Sequence, residues 1–89
     1  MIQVDFEPSF ERALKKMIRQ NRLPENVFWE RLELFMQNPY LPQLQTRKLS
    51  GKLKGLMAFS VGYSLRVVFY FVAPDKVVLI DIGTHDEVY

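Results

Sequence analysis

The residues with the clearest chemical potential stand at the C-terminal end of the chain. His85 is the only histidine, and it belongs to the segment Gly83-Thr84-His85-Asp86-Glu87-Val88-Tyr89, which follows the apolar run 77–80. An imidazole can accept or donate a proton near neutral pH, and such a transfer accelerates a reaction about 100- to 10,000-fold. We therefore predict that His85 is a general acid or base held just past a buried strand. The alternative is a terminal histidine that only bonds a neighbour.

Cations without neighbouring carboxylates form the rest of the predicted site. No carboxylate occurs from residue 34 to residue 74, a stretch that holds five cations: Arg47, Lys48, Lys52, Lys54 and Arg66. A second run of five cations without an acid spans residues 12–22. Segregated positive charge favours an anionic partner such as nucleic acid. The alternatives are a solvated surface for the lysines and, for Arg66, an ion pair with Asp81 on an adjacent strand.

Three further residues near His85 have possible roles. Tyr89 is predicted to stack on a nucleic-acid base, an interaction that contributes about 1–3 kcal/mol, and a frayed terminus is the alternative. Asp86 and Glu87 either orient His85 or only add solubility.

The segment 50–55 lacks the G-x-x-x-x-G-K-[ST] order of a phosphate-binding loop, which argues against nucleoside triphosphate binding. Together these residues predict a small protein that cleaves RNA.

Composition limits the remaining possibilities. Eighty-nine residues are enough for one domain. The chain has no cysteine and one histidine, so neither a disulfide scaffold nor a thiolate or zinc site is expected, and we predict no metal and no cofactor. No apolar run reaches the 18 residues of a membrane span, and the N-terminus lacks the basic and then apolar segments of a signal peptide. These features predict a cytoplasmic protein that does not associate with membranes.

Two helices are predicted in the first half of the chain. The first begins at Pro8 and Ser9, because proline is tolerated in the first turn and serine can cap a helix. The second begins at Pro24 and ends before Pro39, since the residue preceding a proline disfavours the helical region. The apolar face of the first helix consists of Phe10, Ala13, Leu14, Met17 and Ile18, at helical spacing.

Strands are predicted around these helices. Alternating apolar residues predict a short strand over 2–6, and apolar runs predict strands over 56–61, 65–72 and 77–82. The run 65–72 is almost wholly apolar and should be central. The order is β-α-α-β-β-β, an α+β fold in which a helical hairpin packs on a small, mainly antiparallel sheet.

Four motifs in register resemble the RelE/ParE superfamily of bacterial toxins. They are Arg47-Lys48-Leu49-Ser50-Gly51, Leu53-Lys54-Gly55, Tyr63-Ser64-Leu65-Arg66-Val67-Val68-Phe69 and Ile82-Gly83-Thr84-His85-Asp86-Glu87-Val88-Tyr89. The likeness spans nearly the whole chain, so residues 1–89 are expected to form a single RelE-like toxin domain. It implies a messenger-RNA interferase similar to the RelE, YoeB and YafQ-like enzymes, a ribosome-dependent endoribonuclease that promotes 2′-hydroxyl attack without metal.

The resemblance also implies roles and partners. His85 would be the general acid or base, Arg66 the phosphate clamp and Tyr89 a contact to the nucleotide near the cut. Lys52 and Lys54 would bind the RNA backbone. A small antitoxin would cover this surface, and the toxin–antitoxin complex would bind operator DNA through the antitoxin.

The chain differs from the family pattern at four positions. Arg47 replaces a frequent histidine, Ser60 a frequent arginine or histidine, Ser64 a frequent aspartate, and Asp81 an arginine of YafQ-like members. Arg47 can clamp a phosphate, but a guanidinium keeps its proton and cannot be a general base. These differences leave a catalytically weakened toxin-fold module that only binds as one alternative. The other is a ParE-like toxin that inhibits DNA gyrase, although the His-x-x-x-Tyr ending resembles the nuclease branch more.

Overall fold

The computed structural model describes residues 1–89 as five strands and three helices. In chain order these are β1 (Gln3–Phe6), α1 (Pro8–Arg19), α2 (Glu25–Gln37), β2 (Arg47–Lys48), β3 (Met57–Gly62), β4 (Leu65–Ala73), β5 (Lys76–Thr84) and α3 (His85–Val88). Single 3₁₀ turns lie at Pro42–Leu44 and Gly51–Leu53. The longest helix has 13 residues, and none is long and apolar enough to cross a bilayer.

The five strands form one sheet in the order β1-β5-β4-β3-β2. β1 runs parallel to β5, and every other neighbouring pair is antiparallel. The predicted α+β class, the order of the main elements and the central position of β4 are confirmed. The short β2 and the C-terminal α3 were not predicted as elements, because two- to four-residue segments carry too little periodicity to be recognised.

The helices pack on the sheet through aromatic side chains. In α1, Phe10, Leu14 and Met17 are buried, as the helical spacing predicts. Phe10 contacts Phe28 of α2 with ring centroids 5.8 Å apart, which joins the two helices. The core continues into the sheet, where Leu65, Val67 and Phe69 alternate toward the helices. This alternation directs Arg66 to the opposite face of the sheet.

Phe35 is the side chain whose loss should most weaken this core. It is fully buried, stacks on Phe59 at 4.3 Å and meets Phe69 edge-on at 4.9 Å. Phe35→Ala should lower the free energy of unfolding by about 3–5 kcal/mol, because both transfer energy and packing are lost. Urea denaturation measures this change. Tyr40→Ala, at a side chain that is 61% exposed, is the matched aromatic control. Equal losses in the two variants would contradict this description of the core.

Candidate functional site

A one-turn helix holds the C-terminal residues in place. The Glu87 amide donates to the Thr84 hydroxyl at 3.4 Å, and the Thr84 amide donates to the Glu87 carboxylate at 2.8 Å. These reciprocal bonds form a capping box around the start of α3. His85 is therefore the first residue of a helix rather than part of a loop. The S/T-x-x-E pattern of residues 84–87 is the signal that could have predicted it.

Gly83 lets this helix approach the sheet closely. Gly83 lies inside β5, and its φ is not in the left-handed region that glycine usually serves. A Cβ added there would stand 3.0 Å from the Glu87 Cβ and 3.0 Å from Val88 Cγ1. The residue is glycine because α3 leaves no room for a side chain.

An ion pair ties α3 to the connection between α1 and α2. Arg22 donates to both carboxylate oxygens of Glu87, at 2.6 and 3.0 Å, although the two residues are 65 positions apart. The hydrogen bond from Arg22 and then the bond from the Thr84 backbone lower the pKa of Glu87 to about 2. Because this pKa is depressed, the contribution of Glu87 to stability is present above pH 4.5 and is lost as the pH falls toward about 2.

Removing the Arg22 side chain should loosen α3 without unfolding the protein. The Tyr89 amide, which bonds the His85 carbonyl at 2.9 Å, should exchange faster in Arg22→Ala. The midpoint of global unfolding should hardly change, because exposed ion pairs contribute little. Native-state hydrogen exchange measures the first effect. Lowering the pH from about 4.5 to about 2 should cause the same loss of protection in the unmodified protein.

A second exposed ion pair supplies the control for this experiment. Lys76 contacts Asp5 at 3.2 Å, and both residues lie on strands rather than on α3. Lys76→Ala should therefore leave exchange at Tyr89 unchanged. Unaltered exchange in Arg22→Ala would show that Arg22 does not hold α3.

His85 and Tyr89 lie one helical turn apart and face the same groove. Their ring centroids are 4.2 Å apart at an angle of 71°, an edge-to-face contact. The groove has a volume of about 420 Å³. Its other walls come from β2 and the turn that follows it: Arg47, Lys48, Leu49, Ser50, Lys52 and Leu53. Three cations thus face one imidazole and one phenol, and no acidic side chain lines the groove.

Two of the predicted site residues lie outside this groove. Arg66 donates from Nη1 to Oε1 of Gln45 at 3.2 Å. In the β4–β5 pair, Arg66 lies opposite Gly83 of β5. The pairing of Arg66 with Asp81 is not formed, since the Asp81 carboxylate instead accepts from the Ile82 amide at 2.8 Å. Lys54 lines a separate depression beside the groove. His85, Tyr89, Arg47, Lys48 and Lys52 are the predicted residues that the fold brings together.

This arrangement suits a polyanionic substrate. Clustered cations without acids attract phosphates, and an exposed imidazole among them can transfer a proton to or from a bound group. Across the chain, no three histidine or carboxylate side chains are grouped as metal ligands would be. Arg22 and Thr84 were missed as positioning residues for this groove. Glu87, for which orienting His85 was one of two expectations, bonds both of them at the start of α3.

The fold is that of several solved bacterial toxins. YafQ from E. coli superposes with a TM-score of 0.81 at 13% identity, covering 100% of this chain and 99% of YafQ. A chain of an E. coli DinJ–YafQ complex superposes with a TM-score of 0.78 at 15% identity, with the same coverage. A copper-bound mutant toxin from Helicobacter pylori superposes with a TM-score of 0.79 at 24% identity, covering both chains completely. No protein-family model and no curated protein sequence matches the chain. The predicted RelE-like fold is confirmed.

Proposed function

We propose that this chain is the toxin of a type II toxin–antitoxin system and that it cleaves messenger RNA on the ribosome. The observation that carries the proposal is the groove in which His85 and Tyr89 face Arg47, Lys48 and Lys52, with no acidic side chain in its lining. The likeness in fold to YafQ over the full chain supports the toxin class. Such a protein would act in the cytoplasm, where messenger RNA is translated.

The proposed reaction needs two proton transfers and charge stabilisation. The ribose 2′-oxygen attacks the adjacent phosphorus and loses its proton, while the P–O5′ bond breaks and the departing 5′-oxygen gains one. The products are a 2′,3′-cyclic phosphate and a 5′-hydroxyl. His85 is the one imidazole available, so it carries out one transfer and solvent in the open groove serves the other. The Arg47 and Lys52 cations neutralise the charge that builds on the phosphate oxygens.

Tyr89 and Arg66 have supporting roles in this mechanism. The Tyr89 ring contacts the His85 ring and lines the groove, so it can stack on the nucleotide near the cut and hold the imidazole in place. Arg66 is half-buried and bonded to a neutral amide rather than to a carboxylate. A phosphate can replace that amide, because a charged acceptor forms a stronger bond with a guanidinium. Lys48 and Lys54 bind the RNA backbone.

The same surface suits the antitoxin. An acidic antitoxin segment laid in the groove would satisfy its cations and cover His85, which would prevent access to RNA. The toxin–antitoxin complex would then bind operator DNA through the antitoxin. DinJ–YafQ is a solved toxin–antitoxin complex with this fold on the toxin side.

Mapping of transcript 5′ ends after brief induction tests the proposal. New ends should appear inside translated regions, should disappear when initiation is blocked, and should be absent with His85→Ala. Growth arrest with no new ends, retained by His85→Ala and accompanied by DNA breaks, would instead identify a gyrase inhibitor.

A further inference from the structure

A second depression adjoins the His85 groove. Its volume is about 530 Å³, within the range of small-molecule sites. Leu49, Leu56 and Met57 give it apolar walls, and Lys48 and Lys54 supply the charge. No carboxylate lines it. An apolar surface beside unpaired cations matches the two parts of a nucleotide, a flat base and a phosphate.

The two depressions share a wall made of Lys48, Leu49 and Ser50. The turn after this wall separates two lysines: Lys52 lines only the His85 groove, and Lys54 lines only the second depression. Lys52 lies within the single 3₁₀ turn at Gly51–Leu53, and Lys54 follows it with a backbone that is no longer helical. The Leu49 amide bonds the Leu56 carbonyl at 3.0 Å and closes the base of this loop.

From this geometry we infer that the second depression is a nucleotide subsite, occupied by the nucleotide adjoining the one held at His85. A single RNA strand crossing the shared wall would place consecutive nucleotides on its two sides. Lys54 binds the phosphate of the outer nucleotide, and Leu56 and Met57 contact its base. The inference rests on the proposed function only in taking RNA as the substrate.

The four methionines allow a direct test with the free protein. Met57 lines the depression, whereas Met1, Met17 and Met36 line neither it nor the His85 groove. Protein labelled with ¹³C at the methionine methyl groups and at the histidine ring is titrated with a 2′-O-methyl trinucleotide, which cannot be cleaved, and with a 2′-O-methyl mononucleotide. Both should shift the His85 ring signals. The trinucleotide should shift Met57 at concentrations at which the mononucleotide does not, because its outer nucleotide is tethered to the one held at His85. The buried Met17 should not respond to either.

Salt dependence separates the two lysines. Lys54→Ala should reduce the slope of log affinity against log salt by about 0.7 for the trinucleotide, the value for one contact to a single strand, and should not change it for the mononucleotide. Lys52→Ala should reduce both slopes. Leu56→Trp, which fills the depression, should remove the Met57 response and leave the His85 response.

The outcomes distinguish this inference from the proposed function. Met57 unmoved by a trinucleotide that shifts His85 would overturn the subsite, as would equal effects of Lys54→Ala on both ligands. An acidic peptide that moves Met57 when the trinucleotide does not would assign the depression to a protein partner. If Met57 and the slopes respond as expected but no messenger is cut in cells, the subsite stands and the nuclease function fails.

Discussion

Replacing His85 by Ala should lower the rate of messenger cleavage about 100- to 10,000-fold, the range for a general acid or base. No other imidazole exists in the chain to replace it. The loss should appear in single-turnover cleavage by purified toxin on programmed ribosomes, and growth inhibition should be lost with it. This is the largest effect on activity that we expect from any single substitution.

The fold should survive this substitution, which makes the result interpretable. The His85 side chain is exposed and makes no hydrogen bond, and its close contact is the Tyr89 ring. The unfolding midpoint and antitoxin affinity of His85→Ala should therefore stay near those of the unmodified protein. Asp86→Ala changes the next residue of α3, which does not line the groove, and should cleave normally. Full cleavage by His85→Ala would remove the proposed mechanism, whatever the other variants do.

The architecture could be predicted because its signals are local. Phe10, Leu14 and Met17 repeat at helical spacing and are buried in the core, and the apolar residues 65–72 mark the central strand. The positive charge of the site could also be predicted. Residues 34–74 contain no carboxylate, and no acidic side chain lines either depression. These features depend on the side chains themselves and on their neighbours within a few residues.

The support of the site could not be predicted in the same way. Arg22 binds Glu87 across 65 residues, a contact set by where the α1–α2 connection lies relative to the end of β5. Gly83 is explained only once α3 is known to pack on it. The position of Arg66 depends on strand register, which places it opposite Gly83 and leaves its guanidinium on Gln45. The pattern of residues within one segment does not determine which residues of a distant segment it will contact.

The second large effect concerns the salt dependence of ribosome binding. If the five cations from Arg47 to Arg66 each contact one phosphate of single-stranded RNA, log affinity should fall against log salt with a slope of about −3.5. The affinity should then drop about 100-fold between about 50 and 200 mM salt at fixed magnesium. Replacing Lys52 and Lys54 together by alanine should flatten the slope by about 1.4, because two contacts are lost.

A matched pair of lysines decides whether this effect belongs to the groove. Lys15 and Lys16 are exposed on α1 and line neither depression adjoining β2. Their replacement by alanine removes the same net charge as the Lys52 and Lys54 pair. If the groove follows the RNA backbone, only the Lys52 and Lys54 pair should change the slope by the full amount. If both pairs of substitutions flatten the salt slope equally, the ribosome attracts the protein through its total charge. That result would contradict RNA binding in the groove.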